Sequence, residues 1–128
     1  MQFLAVLVAA AASYAFGAVW YMALAKPWMA AVGLTKETIN ASDKTPYIIS
    51  GVCSILVAGM MRHIFVMSEL DSLYDGLMGG FGLGLLIASP WIVTNVAFSG
   101  KSRNLMWIDG GYATIGCTIM GAVLSFFL

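Results

Sequence analysis

Charge is what this sequence has least of. Six Lys and Arg residues balance six Asp and Glu residues, and together they make up 9% of 128 residues. Soluble domains carry roughly 25% charged residues. The shortage excludes an ordinary water-facing surface. The zero net charge excludes the basic footprint that nucleic-acid phosphates require. There is one histidine, His63, and two cysteines, Cys53 and Cys117, with no zinc or haem spacing between them. Both cysteines lie in apolar segments and read as small buried residues. No matched carboxylate pair and no nucleophile beside a base is visible. No cofactor, no metal and no enzymatic activity are therefore expected.

What is present is apolar: hydrophobic residues make up 61% of the chain. Four apolar segments, at about 2–25, 46–67, 76–98 and 105–127, approach or exceed the roughly 20 residues needed to cross a bilayer. The first segment lacks a positively charged start, so it reads as a helix of the protein and not as a cleaved leader. The whole chain, 1–128, is one domain. Trp20, Tyr21, Lys26 and Trp28 form an aromatic and basic boundary after the first segment, where Pro27 is expected to stop the helix. Thr35 is a candidate cap for a short helix in the connection that follows. Thr45 is a candidate N-cap for the second segment, with Pro46 at its first position. Asn40-Ala41-Ser42 matches a glycosylation tripeptide, a pattern that arises readily by chance.

The stretch Gly76–Asn95 is the most informative. Gly76, Gly80, Gly84 and Ala88 recur every fourth residue and so share one stripe of a helix. The other segments have similar stripes: Ala5, Ala9, Ser13 and Gly17; Ser50, Ser54, Ala58 and Arg62; Asp109, Ala113, Cys117, Gly121 and Ser125. Helices in lipid associate through close contact of small faces, since burying leucine away from lipid gains little. The pattern predicts an all-α integral membrane protein, an antiparallel four-helix transmembrane bundle with the third helix at its hub. Gly79 and Gly82 lie off the Gly76–Gly80–Gly84 line and offer a second face, for a homo-oligomer or a larger membrane complex. Lys26, Lys36, Lys44, Lys101 and Arg103 lie in or beside the first and third loops, and Arg62 alone lies on the other side. That bias puts both termini outside.

Three groups of residues carry a resemblance: Gly17, Trp20 and Tyr21 with Lys26-Pro27-Trp28 and Gly33-Leu34; Thr94-Asn95; and Ile108-Asp109 with Gly111-Tyr112. In this order and spacing the chain resembles the bacterial membrane family catalogued as domain of unknown function 1761. The resemblance implies a small four-helix protein of the bacterial inner membrane. It implies no reaction.

Polar residues within a membrane are candidates for function. Antiparallel segments gather Trp20, Tyr21, Thr94, Asn95, Asp109 and Tyr112, with Ser50, near the cytoplasmic face. Asp109 sits near a helix start, where a carboxylate is favoured. Asn95 or Tyr21 could bond it, and Lys26 could neutralise it. The group reads either as a clamp that locks the helices together, as a small polar vestibule for an ion, proton or solute, or as a site for a catalytic acid. At the outer face Arg62, His63 and Asp75 gather. Arg62 and Asp75 can pair across a short turn. His63 with Asp75 could admit protons, and His63 with Met60, Met61 and Met67 could take a soft metal. Two functions stay open: an accessory or structural subunit acting through helix packing, and a small channel or transporter with its path near Asp109 and Asn95.

Overall fold

The computed structural model describes residues 2–39 and 42–128. Asn40 and Ala41 of the glycosylation tripeptide lie outside the described residues, as does Met1. Among the described residues the chain is helical, without strands. It forms five helices: α1 Gln2–Ala23, α2 Ala25–Val32, α3 Thr45–Met67, α4 Leu73–Ser99 and α5 Asn104–Ser125. Three of them, α1, α3 and α4, are long and apolar enough to cross a membrane. α5 has 22 residues, as many as α1, but glycine, threonine and Asp109 dilute its apolar character.

Pro27 does not end the first segment in the expected way. The chain bends at Leu24 (φ −106°, ψ 21°) and resumes as α2, with Pro27 in the first turn. There the missing proline N–H leaves no bond unmade. α2 closes on Gly33 at φ +80°, with the Leu34 N–H bonded to the Met29 carbonyl. Thr35 caps no helix; it exchanges hydrogen bonds with Thr38 in a local turn. Thr45 is the first residue of α3, not its cap. Its N–H donates to Asp43 Oδ1 at 3.0 Å, and Pro46 follows in the first turn.

α3 ends in a tight reversal. The Glu69 N–H bonds the Val66 carbonyl, and the Leu70 N–H bonds the Phe65 carbonyl. This is the paired bonding of a Schellman turn, which needs a left-handed residue and usually employs glycine. Glu69 fills that position at φ 57°. Leu70 and Phe65 then both rest on Gly79 of α4, which has no side chain to displace them. Ser72 starts α4, its hydroxyl accepting from the Asp75 N–H at 3.1 Å.

α5, and not α4, is the centre of the structure. Eight of its residues are buried, including Ile108, Gly116, Cys117 and Gly121. α4 lies against it in opposite sense: Gly76 meets Gly121, Gly80 meets Cys117, and Gly84 meets Thr114. A methyl group at Gly80 or Gly121 would overlap backbone of the facing helix. α1 packs on another side of α5 with Ser13 against Gly116 and Gly17 against Tyr112. Its stripe Ala5, Ala9, Ser13 and Gly17 is buried along its whole length. α3 lies along α1, Arg62 reaching Gln2 at one end and Tyr47 accepting from the Tyr14 hydroxyl toward the other. The main core joins these helices through Ala5, Ala9, Ala58, Met61, Phe65, Met120 and Leu124. A second, smaller cluster seats α2 under the ends of α4 and α5, through Ala31, Val96 and Leu105.

α4 is not uniform. Gly84–Ala88 form a π-helical turn, with the Ser89 N–H bonded to the Gly84 carbonyl five residues back. Pro90 follows and has no N–H for the carbonyl of Leu86, so the regular ladder is interrupted here in any case. The turn adds one residue to the helix. The buried stripe therefore runs Gly76, Gly80, Gly84, Ser89, Val96. The four-residue count through Ala88 fails after Gly84.

Candidate functional site

The residues that cluster most densely join α1, α2 and α5 at the end where α2 turns under. Tyr21 donates its hydroxyl to Asp109 Oδ1 at 2.5 Å, and the Trp20 indole N–H donates to the Ile108 carbonyl at 2.8 Å. Both rings are carried by α1 and reach across to the first turns of α5. Glycine gives them room. The Trp20 ring lies on Gly111, where an added Cβ would stand 2.9 Å from the indole, and the Tyr112 ring lies on Gly17 at 2.7 Å by the same measure. So each helix offers a glycine to the other's aromatic ring. Tyr112 stacks on Phe16 at 6.3 Å between centroids and meets the Tyr21 ring edge-on at 5.3 Å. Trp28 of α2 closes over Tyr21 at 6.4 Å. Such ring pairs contribute about 0.5–1.5 kcal/mol each beyond the area they bury.

Asp109 is half-buried here, and Lys101 is the cation whose charge reaches it; Lys26 is exposed. α4 joins this end through a different residue from those expected. Thr94 is exposed and bonds its own helix at the Pro90 carbonyl. Asn95 is exposed, and no hydrogen bond joins it to Asp109 among the described residues. Ser89 takes the inward place instead: its buried hydroxyl donates to the Gly110 carbonyl at 2.8 Å and lies 2.8 Å from the Thr114 hydroxyl. Counting residues by fours would have found Ala88; only knowledge of the π turn points to Ser89.

At the opposite end the expected group does not assemble. Arg62 meets Gln2 at 3.5 Å, and no ion pair joins it to Asp75 among the described residues. The Arg62 Nε is buried and has no hydrogen-bond partner among them. His63 is exposed, and Met60 is 56% exposed while Met61 is 2% exposed. Neighbouring methionines that face opposite ways do not converge on one metal ion. No group of three or more His, Cys, Asp or Glu residues placed to hold a metal is found among the described residues.

A cleft of about 620 Å³ separates α3 from α5. Asp43, Thr45 and Pro46 stand at one end, Val57 and Met120 toward the other, and Ser13, Ser54, Tyr112 and both cysteines line the middle. Neither Asp109, Asn95 nor Arg62 lines it. At the mouth, the Thr45 backbone N–H holds the exposed Asp43 carboxyl below its usual value of 3.8. Tyr112 is shared: one face belongs to the aromatic cluster and one edge to the cleft.

No curated protein and no solved structure matches this chain. The model of one family does, over residues 4–125, and its description is a protein of unknown function, DUF1761. That match spans the whole of the aromatic cluster, the glycine contacts of α4 and the cleft, and the chain belongs to the DUF1761 family.

Proposed function

We propose that this chain is a multi-pass protein of the bacterial inner membrane, a four-helix antiparallel bundle that serves as a structural or accessory subunit. It acts through helix packing, in a homo-oligomer or a larger membrane complex, and it is not an enzyme. α5 is the fourth span: 22 residues rise about 33 Å, against a hydrocarbon layer of about 30 Å. Large apolar side chains on the outside, such as Ile48 at 66% and Leu86 at 72% exposure, suit lipid or a partner helix.

The observation that carries the accessory reading is the pairing of Asp109 with Tyr21. The half-buried carboxylate of Asp109 is taken up by a hydroxyl from a neighbouring helix, and Trp28 packs edge-on against the ring that carries that hydroxyl. That is a clamp. A conducting path would need the carboxylate to face an open route, and the cleft bypasses both Asp109 and Asn95. The channel or transporter reading therefore has the weaker support.

The test is the mass of the protein extracted with its native lipid. Particles holding two or more copies, or one copy with other chains, are expected. Particles holding one copy alone would overturn the accessory role. Protonophore-independent ion flux through the purified protein in vesicles would favour the path instead.

A further inference from the structure

The cleft between α3 and α5 has a feature that close packing does not explain. Ser13 is 2% exposed, yet its hydroxyl has no hydrogen-bond partner among the described residues. It lies over Gly116, and both residues line the cleft. Ser54, 6% exposed, faces it from α3, with the Tyr112 hydroxyl within its reach. The fully enclosed side-chain polar atom without a partner among the described residues is Arg62 Nε, so the Ser13 hydroxyl keeps an opening to the cleft and can bond a group that enters it.

The rest of the wall states what that group belongs to. Between Thr45 and Val57 the cleft follows α3 for about 18 Å at 1.5 Å per residue. Along this length Pro46, Ile49, Cys53 and Val57 alternate with the small hydroxyls of Ser50 and Ser54, and the one charged residue of the lining, Asp43, stands at the mouth. α4 contributes only Ala88, so the cleft is not walled off by a third helix but opens sideways. Its volume falls in the range of about 300–1,000 Å³ usual for small-molecule sites. A charged head would meet no counter-charge at mid-depth. A water-filled space would expose much apolar wall.

We infer that this cleft binds a single-chain neutral lipid, of the monoacylglycerol or fatty-alcohol class, with its hydroxyl or ester group on Ser13, Ser54 and Tyr112 and its chain along α3. The inference rests on the membrane-spanning reading above but not on the accessory role. The chain slides in from the bilayer between α3 and α4. The uncharged polar group supplies the bond that Ser13 lacks, and the mouth at Asp43 and Thr45 admits water to any further hydroxyls.

The test uses the full-length protein in lipid nanodiscs with a photoactivatable monoacylglycerol, and a photoactivatable fatty acid as the charged control. Residence in the membrane is established first, by resistance of the protein to carbonate extraction. Crosslinks from the neutral probe are expected at residues 49–57 and 112–120, reduced at least tenfold by excess fatty alcohol. The fatty acid should label this region at least threefold less. Cys53→Trp, at an exposed position on the cleft wall, should abolish the competed labelling. Ser13→Ala should weaken it about two- to tenfold, the range of one net hydrogen bond. A thermal midpoint unchanged by either substitution shows that the loss is of binding and not of folding. Labelling spread over the outer faces of α3 and α4, unaffected by competitor and by Cys53→Trp, would overturn the inference. So would equal labelling by the fatty acid. A carbonate-soluble protein would instead overturn the membrane reading. A single-copy particle with competed labelling would remove the accessory role and leave the lipid site standing.

Discussion

Trp20 and Gly111 make one contact from two directions: the indole covers the glycine, and the indole N–H bonds the carbonyl of Ile108 three residues earlier in the same helix. The ring cannot settle on α5 unless residue 111 lacks a side chain. The next residue, Tyr112, repeats the arrangement in reverse on Gly17, one turn before Trp20 in α1. The clamp at Asp109 is thus held in register by rings seated on glycines.

Removing the Tyr21 hydroxyl should show how much the clamp contributes. Tyr21→Phe leaves a half-buried carboxylate without its donor, and a cost of about 1–3 kcal/mol is expected. Asp109→Asn keeps a group that can accept from Tyr21 and should cost less. Thermal unfolding in detergent measures both. Equal, negligible effects would show that water or Lys101 already satisfies Asp109.

The glycines of α4 separate into two kinds. Gly80→Ala places a methyl on the Cys117 backbone and should destabilise by about 1–3 kcal/mol, as overpacking does. Gly82 has nothing within 4 Å of an added Cβ. Gly82→Ala should leave the single chain unchanged or stabilise it by up to about 1 kcal/mol, through helix propensity. If Gly82→Ala instead dissociates native particles without changing the monomer's unfolding, that face holds a partner.

Glu69 occupies the left-handed position of the α3–α4 turn. A non-glycine residue there pays about 1 kcal/mol in steric conflict. Glu69→Gly should recover part of it, raising the unfolding midpoint, and Glu69→Val should lower it. The reverse order would mean that the Glu69 side chain makes a compensating contact.

Asp43 predicts a pH effect confined to one helix end. Its carboxyl is held below the ordinary value by the Thr45 N–H, so its folded value lies below its unfolded one. The support it gives the start of α3 is complete above about pH 4 and is lost as pH falls through the folded value. Hydrogen exchange at the Thr45 amide should accelerate in that acid range, beyond the intrinsic change with pH. Asp43→Asn should flatten the response.

Much of this arrangement was legible in the sequence. The helix positions followed from apolar runs, and the small-residue stripes of α1 and of the first half of α4 marked the faces that meet α5. Tyr21 and Asp109 were legible as partners because both lie near segment ends that an antiparallel order brings together. Three things were hidden. Pro27 begins a helix here because a bend at Leu24 precedes it, and no local signal marks that bend. Arg62 turned to Gln2, since α1 and not α4 runs beside its end of α3. Asn95 lost its place because one extra residue in the π turn rotated it outward. The central role of α5 was hidden as well: its polar content made it look the least apolar of the four segments, and that content is what its three neighbouring faces use.

The π turn gives α4 two phases, one on each side of Leu86. Upstream, side chains repeat in step with Gly76; downstream, they repeat in step with Ser89, about 100° out of the first sequence. Straightening this turn into regular α-helix, with no change of length, would turn the second half like a key, carrying Ser89 and Val96 off the interior and Asn95 toward it. Deleting one residue within Gly84–Ala88 would do the opposite: Ser89 would follow Gly84 by four, the ordinary helical repeat, and both halves would keep their faces on α5. The turn is thus a slot that takes up one residue of length without changing which chemistry faces α5.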